Sequence, residues 1–190
     1  MCHIAFVGAV LSLLVSGPAW AQSGVYVQQI GSANQAKAAQ DTSAVSGRAS
    51  ITQDGEQNIA SIIQQEGSHK ASIAQTGLGN EGTIVQQGGI AHEASVVQTG
   101  SNNRVSLAQT AAAATQEARI IQEGERNQIT LSQTGATNKA ELSQFGSDNT
   151  MALGQTGGGV VTWTQEGSGL ANVELVVGGS QIITLTQTRP

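Results

Sequence analysis

The residues whose types could support catalysis or metal binding are few, and their spacing suits neither. His69 and His92 lack a neighbouring Cys or second His at metal-ligand spacing, so they read as exposed loop histidines. Asp54, Glu66, Glu123 and Glu166 follow glutamines directly or nearly so, at irregular intervals. They read as acidic corners that solvate the chain and discourage indiscriminate stacking, not as a paired acid and base. Glycines recur with glutamine instead of opening a helix after a strand, so no phosphate loop is implied. The G-G-x-G-x-D signature of calcium-binding β-rolls is absent. The chain is expected to be no enzyme and to hold neither metal nor cofactor.

One functional group does recur with regular spacing, the side-chain amide. Gln stands at Gln29, Gln40, Gln53, Gln64, Gln75, Gln86, Gln98, Gln109, Gln122, Gln133, Gln144, Gln155, Gln165 and Gln187, about every 11 residues. Val177 fills the slot once, giving about fifteen units. Primary amides both donate and accept. Stacked roughly 4.8 Å apart, such side chains form a hydrogen-bonded ladder along the stacking axis. Val177 lacks the amide and should interrupt that column near the last units.

Each amide needs an element to hold it. The unit Ala71-Ser72-Ile73-Ala74-Gln75-Thr76-Gly77-Leu78-Gly79-Asn80 generalises to A-x-I-x-Q-x-G-x-x-N. The slot two before the Gln holds Val27, Ala38, Ile51, Ile62, Ile73, Ile84, Val96, Leu107, Ile120, Leu131, Leu142, Leu153, Trp163, Leu175 and Leu185. All are apolar, while the residues between the slots are mostly Ser, Thr, Ala, Glu or Arg. A period of two places the A slot, the I slot and the Gln on one face of a short β-strand. Gly and Asn then read as turn residues, because both tolerate positive φ. No unit can bury its face alone, so the repeat predicts a stacked solenoid.

A longer period lies inside the first. Asn follows Gln by five residues at Asn34, Asn58, Asn80, Asn103, Asn127 and Asn149, in every other unit. The units between carry Val45, His69, Ala91, Ala114 and Val160 there, with Asn138 as the exception. The extra-long Gln spacings, 40 to 53 and 109 to 122, also follow units of the second kind. The fold class expected is therefore all-β: a two-sheet β-solenoid of about 15 short strands. Its rungs hold two strands and about 22 residues, about 7.5 in all, with one tight edge and one edge that accepts insertions. Asn at the tight corner is expected to cap the turn and to stack like the Gln.

Residues 1–21 read as a signal peptide, with an apolar run from Ile4 to Val15 and an A-x-A site at Ala19-Trp20-Ala21. The n-region has His3 but no Lys or Arg, and the alternative is a short core strand. Cleavage after Ala21 leaves a domain over 22–190 without cysteine, since Cys2 is the only one. Pro18 and Pro190 are the only prolines, so none interrupts the repeat, as a fully paired ladder requires. A net charge of −5 with no basic stripe argues against nucleic acid.

The repeat resembles the curlin repeat of curli, the functional amyloid fibres of bacterial surfaces. The resemblance rests on Gln, Gly and Asn at set spacings in paired strands of about 22 residues, across nearly all of 22–190. It implies an exported, extracellular structural subunit that self-assembles, stacking end to end as cross-β amyloid. It also implies a second curlin subunit and outer-membrane secretion and assembly factors as partners, with a role in biofilm matrix and adhesion. The I-x-Q-x-G-x-x-N-x-A units and the closing stretch from Val176 to Gln187 look like the minor, nucleating subunit. The major fibre subunit is the alternative. Two features depart from the family: more repeats than its usual five, and a last repeat whose only basic residue is Arg189. A monomeric surface- or ice-binding solenoid is a further alternative, for which the outward pairs Thr162 and Thr164, and Thr184 and Thr186, are too isolated a ladder.

Overall fold

Strict apolar–polar alternation over five to seven residues favours strand over helix, and Gly at each corner ends the run. The computed structural model describes residues 4–5, 10–15, 24–41 and 46–189; they form strands and corners, with no helix. In chain order the strands are β1 (Ile4–Ala5), β2 (Val10–Val15), β3 (Gly24–Ile30), β4 (Gln35–Gln40), β5 (Arg48–Glu56), β6 (Ile59–Gln65), β7 (Lys70–Leu78), β8 (Glu81–Gln87), β9 (Glu93–Ser101), β10 (Arg104–Thr110), β11 (Glu117–Glu125), β12 (Gln128–Thr134), β13 (Lys139–Ser147), β14 (Thr150–Thr156), β15 (Val160–Glu166), β16 (Val173–Gly178) and β17 (Ile182–Thr188). Odd-numbered strands form one parallel sheet and even-numbered strands the other, each in chain order. The chain therefore winds as a two-sheet β-solenoid. Fifteen strands from β3 to β17 make about seven and a half rungs.

Register follows the repeat without slippage. In the odd sheet Val27, Ile51, Ile73, Val96, Ile120, Leu142, Trp163 and Leu185 stack on one another. In the even sheet Ala38, Ile62, Ile84, Leu107, Leu131, Leu153 and Leu175 do the same. These side chains meet between the sheets, and those from Val27 to Trp163 are buried. A one-residue slip would turn the whole row outward, so burial fixes the register. Trp163 is fully buried, consistent with an inward core position. Leu175 and Leu185 are only partly buried, because β16 and β17 are the last strands of their sheets.

β1 and β2 fall in the stretch read as a leader. In the uncleaved chain their backbones extend the two sheets, β1 pairing with β3 and β2 with β4. The Ala19–Ala21 site and Val45 lie outside the described residues.

The two edges differ. Odd-to-even corners are nearly uniform from rung to rung, whereas even-to-odd corners vary in length. At the uniform edge, Gly31, Gly55, Gly77, Gly100, Gly124 and Gly146 all have positive φ. A Cβ on any of them would come within 1.8–2.1 Å of the carbonyl oxygen of the next glycine in the column. The Q-x-G spacing thus records a backbone-on-backbone contact that admits no side chain. The Asn of this corner is not the left-handed residue. That conformation belongs to its predecessor, at Ala33, Gln57, Gly79, Asn102, Arg126 and Asp148.

Candidate functional site: amide columns and open edges

Every repeat-slot Gln from Gln29 to Gln165 is buried, lying inward near the end of its strand. In the odd sheet each amide donates through Nε2 to Oε1 of the next. Gln29 reaches Gln53 at 2.6 Å, Gln53 reaches Gln75 at 2.8 Å, and Gln75 reaches Gln98 at 2.8 Å. Gln98, Gln122, Gln144 and Gln165 continue the column to Gln187 at 2.8–3.0 Å. The even sheet holds a second column from Gln40 through Gln64, Gln86, Gln109 and Gln133 to Gln155, at 2.6–2.9 Å.

The second amide hydrogen crosses the core. Strands of the two sheets run in opposite directions, so the Gln ending one strand faces the start of a strand opposite. Gln75 Nε2 donates to Ile59 O at 2.9 Å, Gln98 to Glu81 O at 3.0 Å, and Gln144 to Gln128 O at 3.1 Å. One side chain therefore joins its rung to the next and one sheet to the other. This geometry also sets the A slot. Gly82 occupies it in β8, where an added Cβ would lie 3.2 Å from Gln98 Oε1 and 3.4 Å from Gln75 Nε2. From β4 to β9 the slot is Ala or Gly, which leaves room for the amides, whereas β10, β12 and β14 fit Val105, Ile129 and Met151 there.

Val177 ends the even column. It is fully buried, and Gln155 Nε2 turns instead to Gly159 O at 3.1 Å, besides Lys139 O at 3.0 Å. The odd column runs on to Gln187, which also accepts from the indole Nε1 of Trp163 at 3.1 Å. Among the described residues the Gln187 amide donates to nothing, so this column ends on free donors.

A third column lines the uniform edge. Asn34, Asn58, Asn80, Asn103, Asn127 and Asn149 are all buried. Asn58 N–H donates to Asn34 Oδ1 at 2.9 Å, and the pattern repeats up to Asn149. Their Nδ2 groups bond the glycine carbonyls of the next rung at 2.7–3.0 Å. Asn138 does the same work at the opposite edge, accepting from Gly158 N at 2.9 Å and Gly159 N at 3.2 Å.

That opposite edge holds what the forward count from Gln misses. Its inward column is Gly47, His69, His92, Gln116, Asn138, Gly159 and Gln181, linked through backbone carbonyls that each accept the N–H opening a strand of the preceding rung. Corner insertions move His92 and Gln116 into this column in place of Ala91 and Ala114. Reading His69 and His92 as exposed is therefore wrong: both are buried, and their rings stack 4.7 Å apart, 2° from parallel. His69 Nε2 lies 3.0 Å from Gln65 O, so that nitrogen carries the proton and Nδ1 accepts His92 N–H at 3.0 Å. Burial, and next the proximity of His69, pushes His92 below the ordinary imidazole value. His92 Nδ1 and Gln116 Oε1 are buried without a partner. Counting back two residues from the A slot finds this column, because that position shares the inward parity. Among the described residues no cluster of His, Cys, Asp and Glu could hold a metal ion.

The outer faces carry rung-to-rung ion pairs: Arg104 with Glu81, Arg126 with Asp148 at 2.7 Å, and Lys139 with Glu117 at 2.9 Å. Asp148 is held below the usual carboxylate range by the Arg126 guanidinium that bonds it. Residues 116–145 and 124–157 match the family model of the curlin associated repeat. That stretch is similar to curlin repeats. The matched stretch covers β11 to β14, and the same inward columns continue in register on both sides of it. No curated protein and no solved structure matches the chain. A curli-type structural subunit fits both the matched repeat and the fold.

Proposed function

We propose that this curlin-repeat chain is exported, cleaved after Ala21, and assembled outside the cell into curli-like amyloid fibres that contribute to biofilm matrix and adhesion. The observation that carries the reading is the last rung. β16 and β17 each pair on one side only, and Val173, Leu175, Ile183 and Leu185 beside them are half-buried. Open strand edges with unpaired N–H and C=O groups recruit further strands. Here the recruited strand also continues a hydrogen-bonded amide column and covers an apolar row. Arg189 adds a single charge to this edge, which blunts it only weakly.

Within a fibre the closing stretch from Val176 to Gln187 supports a nucleating role, with a second curlin subunit as the bulk partner and outer-membrane secretion factors delivering both. Seeding tests this. Substoichiometric amounts of the exported chain should abolish the lag of a partner curlin, and deleting residues 178–190 should restore it. Bulk fibre mass made of this chain, with seeding untouched by the deletion, would assign the major-subunit role instead. Mass spectrometry of the exported material should give a chain starting at Gln22; an intact Met1 there would exclude cleavage.

A further inference from the structure

The described strands from β3 to β17 are odd in number, and this constrains how two copies can stack. β3 and β17 both belong to the odd sheet, so the described solenoid ends half a rung after it begins. Consider a second copy placed on the last rung by translation alone. Its β3 sits on β17, and nothing sits on β16. A full strand edge, with Val173, Leu175 and Val177 beneath it, then lies inside the junction with its peptide groups unpaired. Backbone groups buried without partners are strongly disfavoured.

A half-turn about the stacking axis removes that gap. It carries the second copy's odd sheet onto the first copy's even sheet, and the strand directions still agree because the two sheets run oppositely. β3 of the second copy then pairs with β16, and its β4 with β17. The second copy continues the winding as one chain would, its Gly24 beginning at the edge where Thr188 of the first copy ends. Extending the observed register aligns Ile183, Leu185 and Gln187 with Ala36, Ala38 and Gln40. The partly buried Ile183 and Leu185 thus meet the two smallest inward residues of a strand. Gln187, at the end of the odd column, is aligned with Gln40, the first Gln of the even column.

We infer that successive copies of this chain in a fibre are related by a half-turn, with β17 of one copy paired to β4 of the next and β16 paired to β3. This rests on the fibre reading above and on loss of residues 1–21, which bares β3 and β4. The contact is head-to-tail and does not close, so it generates a filament with a rise of about 36 Å per copy.

Paired cysteines test it in the exported chain, which without residues 1–21 contains no other thiol. Thr184, Lys37 and Tyr26 all point outward and are exposed. Under the half-turn, Thr184 lies across from Lys37 of the next copy, at the ~4.8 Å spacing of adjacent strands that a disulfide can bridge. Under translation it lies across from Tyr26. Fibres of T184C/K37C should oxidise into a ladder of linked oligomers on a non-reducing gel, and fibres of T184C/Y26C should stay monomeric on it. Thioflavin-positive fibres that link through Y26C, through both, or through neither overturn the half-turn while leaving the fibre reading intact. A chain that forms no fibre at all removes both.

Discussion

At the scale of the residue, the molecule depends on side chains that satisfy several backbone and amide groups at once. Gln98 accepts from Gln75 at 2.8 Å and donates to Gln122 and to Glu81 O, both at 3.0 Å. Gln98→Leu keeps the volume and removes all three bonds, stranding buried groups on two neighbours and on the facing sheet. At about 1–3 kcal/mol per orphaned group, the expected loss is roughly 3–9 kcal/mol in denaturant unfolding. Core charge should act more severely. Ile73 is fully buried while Ser72 beside it is not, so Ile73→Lys should abolish assembly and Ser72→Lys should leave it intact. Equal effects in a thioflavin assay would contradict the assigned register.

At the scale of the element, the two edges are built differently. The uniform edge repeats Gly and Asn, and its glycine-on-glycine contacts leave no room for variation. The other edge admits insertions, and its column changes from His69 and His92 to Gln116 and Asn138. The buried His pair makes this edge sensitive to acid. His92 sits below its unfolded value of 6.5, so the unfolded chain takes up a proton first as pH falls. The stability contributed by neutral His92 is complete above that value and declines below it. The protection factor of the Lys70 amide, bonded to His92 O at 2.8 Å, should therefore fall from pH 7.5 to 5 once the base-catalysed slowing of intrinsic exchange is divided out. His92→Asn, which imitates Asn138, should flatten that dependence. An unchanged protection factor in the native chain would mean that the ring pair is not under protonation stress. The exposed ion pairs on the outer faces should matter less, at about 0–1 kcal/mol each.

These elements also explain which parts of the structure were legible in the sequence. The Gln, I and A slots are legible because each strand is short, the Gln slot is almost invariant and the other two inward positions are always Gly or apolar. The tight edge was equally plain, since Gly and Asn recur at fixed distances from Gln. The other edge was hidden because its insertions, at 88–92 and 111–116, displace any column counted forward from Gln. The left-handed residue of the tight corner was misplaced by one, because Ala33, Gln57, Arg126 and Asp148 adopt that conformation without being typical of it.

At the scale of the whole molecule, each rung presents to its neighbour much the same apolar row and amide columns that it receives. Under the fibre reading proposed above, stacking within the chain and between chains draws on the same physics, and the ends of the solenoid are growth points. The half-integral number of rungs adds a rotation to that growth. The central claim is that the exported chain assembles end to end with its strands perpendicular to the fibre axis. Diffraction from aligned fibres tests it most directly. The account predicts a sharp meridional reflection near 4.8 Å from the stacked strands. A chain that stays monomeric in sedimentation at concentrations where partner curlins polymerise, giving no such reflection, would contradict it.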